Sequence, residues 1–169
     1  MAKAKQKSAP AGYRHVIPYL RVRGAADAMK FYIAAFGAKE HYHLTMAGGR
    51  IGHAEMAIGD AVIMLSDEFP DHGATGPASL KGTTVALALY VTDVDAVVAK
   101  AVAAGAKIRR PVEDQFYGDR TGQIEDPFGH VWSIQTRIEE VAPKEMQKRL
   151  DAMMATPAPA PPPAKRRKT

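Results

Sequence analysis

The sequence predicts an α+β fold of two βαβββ units, whose curved mixed sheets surround a trough, followed by a short C-terminal helix. Three observations carry this. The chain repeats itself at about 70 residues: Val22 and Val91 close matching apolar strands, Gly37-Ala38-Lys39 and Gly105-Ala106-Lys107 end matching helices, and Gly59-Asp60 and Gly129-His130 open matching last strands. Each first strand is followed by apolar residues at 3- and 4-residue spacing, and the segments beyond show period-2 alternation.

The first unit opens with a strand in IPYLRV (17–22). Its helix, AADAMKFYIAAF, places Met29, Ile33 and Phe36 on one stripe that must face a sheet, and Gly37 supplies a left-handed C-cap. Strands follow at about 40–46, 51–58 and 61–66. In the third of these, Ala54, Met56 and Ile58 form an apolar face, and His53 and Glu55 share the opposite one. Residues 67–82, rich in proline and glycine, form a linker. The second unit repeats the order: a strand in LALYV (87–91), a helix carrying Val94, Val97, Val98 and Ala101, and strands at about 107–113, 120–125 and 131–136. Trp132 lies on the face opposite Ser133 and is expected in the core. Pro143 suits the first turn of a closing helix over 143–154. The expected organisation is a tail at 1–12, one domain at 13–142 (units 13–66 and 83–137), the helix, and a proline-rich tail at 155–169. Each unit covers only one sheet face with its helix, so the trough between the sheets is the expected ligand site.

Composition removes several classes. No cysteine is present, which excludes disulfide frameworks, zinc–thiolate sites and thiol nucleophiles. No apolar run approaches the ~20 residues of a membrane helix, and no signal-peptide core follows Met1. No membrane partner and a cytoplasmic location are therefore expected. The net charge of +5 belongs to the tails: Lys3, Lys5 and Lys7 at one end, and Lys165, Arg166, Arg167 and Lys168 at the other, leave residues 13–154 at −2. Nucleic acid is thus expected at most through the basic tail, and a disordered, solvated tail is the simpler expectation. No Gly-rich phosphate loop, nucleophile–His–Asp order or helical HExxH occurs.

Several motifs point further. IPYLRV followed by AMKFYIAAFGAKE, then GRIGHAEMAIGDAVIMLSDE, VTDVDAVVAKAVAAGAK and EDQFYGDRTGQIEDPFGHVWSIQT, cover residues 15–137. Together they resemble the vicinal-oxygen-chelate superfamily of glyoxalase I, bleomycin- and fosfomycin-resistance proteins and extradiol dioxygenases. GHAEMAIGD with DQFYGDR is similar to its poorly characterised glyoxalase/bleomycin-resistance-like branch. The resemblance implies the fold, a homodimer and, in metal-dependent members, ligands on the first and last strands of each unit. The positions that match here are Ile17, Met64, Ala86 and Ser133, which are poor donors for a divalent ion. A two-residue slip offers only His15 and Gln135. No metal and no other cofactor is therefore expected, a divalent metal entering only through a non-standard site.

The same alternation turns His15, Tyr19, Tyr90 and Gln135 into the trough beside Ile17, Met64 and Ser133. His53 and Glu55 are candidates for acid–base work. Tyr117 and Arg120 stand at the rim, where Arg120 suits a carboxylate or phosphate, or else organises its turn with Asp119. His130 is read as a turn residue, and His41 and His43 as surface. The expected function is binding of a small amphiphilic or aromatic molecule in an apolar trough that lacks the superfamily metal site. The alternative is a lyase, isomerase or dioxygenase-like enzyme built around His53 and Glu55.

Overall fold

The structure, a computed structural model, describes Tyr13 and residues 16–155. The expected tails and His15 lie outside the described residues. Two four-stranded sheets form, each with the same topology. In the first, β1 (Tyr19–Val22), β4 (Ala61–Asp67), β3 (Ile51–Ile58) and β2 (Lys39–Thr45) lie side by side in that order. In the second the order is β5 (Ala86–Tyr90), β8 (Val131–Arg137), β7 (Asp119–Glu125) and β6 (Lys107–Asp114). The first and last strands of each unit pair in parallel, and all other pairs are antiparallel. Helix α1 (Ala25–Phe36) crosses over in the first unit and α3 (Val94–Ala103) in the second.

Helix α1 buries Ala25, Ala28, Met29, Phe31, Tyr32 and Ala35. Its first turn is capped from outside the helix: the Asp67 carboxylate accepts the backbone N–H of Gly24 at 2.9 Å and of Ala25 at 3.0 Å, and its other oxygen accepts that of Ile51 at 2.7 Å. An anion there satisfies orphan amides and opposes the helix dipole. Asp93 caps α3 in the ordinary way, accepting from the Ala96 N–H at 2.9 Å. The linker is more ordered than its composition suggests. It forms a 3-10 turn (Pro70–His72), closed by the Phe69–Ala74 bridge, and the short helix α2 (Pro77–Leu80), whose start is held by buried Glu68 accepting from the Gly76 N–H and the Ser79 hydroxyl. Gly76 is obligatory, since a Cβ there would stand 2.3 Å from the Arg21 carbonyl oxygen. Helix α4 (Pro143–Ala155) closes the described chain, and no described helix is long and apolar enough to cross a membrane.

The units meet through their helical sides. Helices α1 and α3 pack together, and one hydrophobic cluster runs through both units. Trp132 of β8 is 3% exposed and lies against the first unit's helix, with ring centroids 4.6 Å from Phe36 and 5.5 Å from Tyr32. It is core, as expected, but under the neighbouring unit's helix as well as its own. Asp126, also buried, accepts from the Tyr32 hydroxyl and the Trp132 indole N–H, each at 3.0 Å. Its other oxygen accepts the backbone N–H of Phe128 and His130, holding the Asp126–His130 turn. His130 Nε2 reaches the Arg21 carbonyl at 3.1 Å, so this turn residue also ties β8 to β1. Burial first, and then the Asp126 carboxylate, push the Tyr32 phenol well above its usual range, so it stays a donor.

The helices fill the space between the units, and the opposite face of each sheet is exposed along its outer strand, while Glu55, Val62 and Ser66 in the first and Asp119 and Val131 in the second are buried. Every residue of β2 is exposed, and nearly every one of β6. Replacing Tyr32 by Phe removes one donor from a buried carboxylate across the unit boundary. The expected cost is about 2 kcal/mol of unfolding free energy, read as a lower denaturant midpoint at unchanged slope.

Candidate functional site

The open face of the first sheet carries a row of partners across all four strands: Tyr19 on β1, Met64 on β4, Glu55 on β3 and Tyr42 on β2. Leu20, Val22, Ala54, Met56, Ile63 and Leu65 take the other face and enter the core. The alternation read from the sequence therefore holds for Tyr19, Met64, His53 and Glu55.

Glu55 is the centre of the row. It is 4% exposed although its partner Tyr42 on the outer strand is 44% exposed, and both its oxygens accept hydrogen bonds. The Tyr42 hydroxyl donates to Oε1 at 2.8 Å, His53 Nε2 approaches the same oxygen at 3.1 Å, and the Tyr13 hydroxyl donates to Oε2. His53 Nδ1 in turn stands 2.8 Å from the Tyr19 hydroxyl. A carboxylate can only accept, so Nε2 carries a hydrogen, and in the neutral ring Nδ1 accepts the Tyr19 proton. The result is a chain of Tyr19, His53 and Glu55, flanked by the tilted rings of Tyr19 and Tyr42 at 5.5 and 5.8 Å from the imidazole. The Arg21 guanidinium lies 4.1 Å above the Tyr19 ring and fixes it from the other side.

The charges follow from this arrangement. Burial pushes the Glu55 carboxyl up, but the hydrogen bonds from Tyr13, His53 and Tyr42 and the attraction of His53 together outweigh it and leave the group below its ordinary value. The same bonds act in reverse on their donors. The hydrogen bond to Glu55, then burial, push the Tyr13 phenol up to about 12 and raise Tyr42 as well. The cluster thus holds an anion beneath a lid of neutral hydroxyls.

Tyr19 also lines a cavity of about 680 Å³ between β1, α2 and the start of β5. Its walls are largely apolar, with Pro18, Pro77, Leu80, Val85 and Leu87, and His130 stands at its edge. Tyr19 is thus the one side chain of the relay that also lines this apolar space; His53 and Glu55 do not line it.

The other candidates fall differently. Ile17 precedes β1 and is half-buried; Tyr19, two residues on, stands level with Met64. Likewise Ala88, and not Ala86, stands level with Ser133. The positions at which the resemblance implies metal ligands hold Ile17, Met64, Ala86 and Ser133, and the residues level with Met64 and Ser133 are Tyr19 and Ala88; neither set fits a divalent ion. Among the described residues no three His, Asp or Glu side chains converge on one point. Tyr90 donates to buried Asp119 at 2.8 Å, and Arg137 makes an ion pair with the other Asp119 oxygen at 2.6 Å without hydrogen-bond geometry. Gln135 stands level with Tyr90 and Thr121. Arg120 is committed elsewhere: it grips Asp95 of α3 through two nitrogens at 2.7 and 2.9 Å and Asp114 of β6 at 2.8 Å. It braces the second unit. Tyr117 and Ser133 line a smaller cavity on the second sheet.

Two members of the Glu55 cluster were not legible in advance. A bulge between Glu40 and Tyr42 shifts the β2 register, so that Tyr42, and not His41, stands opposite Glu55. Tyr13 precedes the first strand, where no periodicity points its side chain anywhere.

Comparison with known proteins places this geometry in a wider group. A family model described as the Glyoxalase/Bleomycin resistance protein/Dioxygenase superfamily matches residues 12–134. An uncharacterized protein of Mycobacterium tuberculosis (strain ATCC 25618 / H37Rv) is 41% identical over 133 residues, which cover 77% of this chain and 78% of the relative. Among solved structures, TioX from Micromonospora sp. ML1 superposes with a TM-score of 0.59 at 25% identity, covering 73% of this chain and 98% of that one. A gene product of Arabidopsis thaliana gives 0.59 at 29%, covering 72% and 98%. The fosfomycin resistance protein FosX of Mesorhizobium loti gives 0.55 at 16% over 78% and 95%, a likeness of fold alone.

The lowered Glu55 value fixes a sign. A carboxylate whose folded value lies below its unfolded one stabilises the fold above the ordinary 4.5, and that contribution is lost as pH falls through the lower folded value. Glu55→Gln is expected to destabilise the protein at neutral pH and to flatten its acid-side loss of stability. Urea melts at several pH values check this; Glu68, lowered in the same sense against its own burial by Ser79, Gly76 and Arg23, leaves a residual slope in both proteins.

Proposed function

Because the chain belongs to the glyoxalase/bleomycin resistance protein/dioxygenase superfamily, whose fold hosts many chemistries, we propose that its activity follows from the Tyr19–His53–Glu55 chain and the cavity that Tyr19 shares. In this reading the protein binds a small amphiphilic or aromatic molecule. The ligand's apolar part rests against Leu80, Val85 and Leu87, and its polar group meets the Tyr19 hydroxyl and the His53 imidazole. One observation supports this: a buried, ionised Glu55 held by Tyr42, His53 and Tyr13 on the sheet face turned away from the core. A carboxylate so enclosed on a surface costs desolvation, and the fold gains no core contact from it.

A second reading is supported by the order of the groups. A hydroxyl, an imidazole and an orienting carboxylate in hydrogen-bond sequence form the arrangement of a general base held in one tautomer. With a ligand bearing an acidic C–H or O–H in the cavity, His53 would take the proton and Glu55 would stabilise the imidazolium, which is lyase or isomerase chemistry.

The reading includes a homodimer. Leu44, Tyr42 and Tyr90 are 58%, 44% and 56% exposed on strands whose open faces also carry the relay and the Asp119 cluster. A second copy laid over them would cover this apolar surface and close the ligand site.

Two measurements test the proposal. In a thermal-shift screen of hydrophobic antibiotics, thiol adducts and aromatic acids, a true ligand at a hundred times its dissociation constant adds about 2.7 kcal/mol. His53→Ala and Tyr19→Phe are expected to remove most of that gain; equal stabilisation of both variants sinks the assignment. Light scattering of the full chain is expected to give about twice the 18.2 kDa chain mass, and Leu44→Asp to shift it toward one copy, since a charge on that face opposes its burial.

A further inference from the structure

The second sheet carries a row equivalent to the Tyr19–Met64–Glu55–Tyr42 row of the first. Its members are Ala88 on β5, Ser133 on β8, Gln123 on β7 and Arg110 on β6, successive partners across the strands. Duplication has kept the positions and reversed their polarity: where the first unit places an anion and a phenol, the second places a neutral amide and a cation.

Arg110 differs from every other arginine among the described residues. Arg21 bonds Ser66, Arg23 bonds Ser79 and Glu68, Arg50 bonds the Glu68 carbonyl, and Arg109 pairs with Glu125. Arg120, Arg137 and Arg149 are held by Asp95, Asp119 and Glu139 respectively. Arg110 alone has no hydrogen bond, ion pair or ring contact among the described residues, and it lines a cavity of about 220 Å³. Gln123 and Ser133, its neighbours in the row, are likewise uncommitted, and the Tyr117 and Thr121 hydroxyls complete the wall. Neighbouring strands stand about 4.8 Å apart, so the row spans about 10 Å from Arg110 to Ser133. Glu113, the one carboxylate lining the cavity, makes no ion pair with Arg110.

We propose that this cavity is an oxyanion subsite, taking a carboxylate or phosphate group on the Arg110 guanidinium, with the Gln123 amide and the Ser133 hydroxyl as further donors. A guanidinium supplies paired N–H donors that match either anion, and a neutral donor row adds hydrogen bonds without competing charge. The cavity has room for one such group and several waters, each of which occupies about 30 Å³ in the liquid. The assignment is independent of the Glu55 reading, since no residue is shared.

The test is a site-resolved titration of the isotope-labelled full-length chain with inorganic phosphate and, separately, with acetate, both at constant ionic strength. Saturable shifts at Gln123, Thr121 and Ser133 are expected with at least one of the two, and which one saturates names the anion. Arg110→Gln is expected to weaken that binding by about tenfold or more, and Arg110→Lys, which keeps the charge and loses the fork, by less. Because Glu55→Gln disables the first unit's cluster, anion binding that survives in it separates the two assignments. Shifts confined to the basic tails, no saturation with either anion, or an Arg110→Gln variant that binds as the parent does would overturn the proposal.

Discussion

The architecture depends on one buried carboxylate. Asp126 is 3% exposed and accepts four hydrogen bonds: two from the backbone of its own turn, one from Trp132 of the same unit, and one from Tyr32 of the other. A charge in the core is tolerable only when every lone pair is used, and here the last of them is used across the boundary between the repeats. That requirement fixes how α1 sits against the second unit. It explains why Trp132, Phe36 and Tyr32 form one aromatic packing unit rather than two separate cores. With the helical sides joined in this way, the other faces of both sheets are left to solvent or to a ligand.

On those faces the two repeats have diverged as far as chemistry allows while keeping the same register. The first holds a carboxylate covered by phenols and an imidazole, and the second a guanidinium beside an amide and a hydroxyl. The core positions moved much less. Leu20 and Val22 have apolar counterparts in Leu89 and Val91, and Ile63 and Leu65 in Trp132 and Ile134. Core positions answer to packing, which tolerates few side-chain types. The open faces answer only to what they meet.

Much of this was legible in the sequence because periodicity reports the pleat directly. The strand and helix positions, the repeat, the burial of Trp132, and the shared face of His53 and Glu55 all follow from alternation and glycine placement, and the structure agrees. What failed to show was the level along a strand. Parallel pairs such as β1 with β4 are joined through a crossover, not a tight turn, so no local geometry fixes their register. That Tyr19 stands level with Met64, and Ala88 with Ser133, therefore did not show. The β2 bulge hid Tyr42 for a related reason, since one extra residue exchanges the two faces. Arg120 was ambiguous because loop position alone does not say whether a cation faces a ligand or a neighbouring carboxylate; Asp95, 25 residues away in sequence, decides it.

The register also decides which side chains stand together on the faces turned away from the core: level with Met64 and Ser133 are Tyr19 and Ala88, a phenol and a methyl group. The polar groups of the first unit have gathered instead around Glu55 on β3, where three donors engage both carboxylate oxygens. Those bonds hold the imidazole in one orientation, with Nε2 toward the carboxylate and Nδ1 toward the Tyr19 hydroxyl. The arrangement follows from how the oxygens of Glu55 are used, independently of what any relative does.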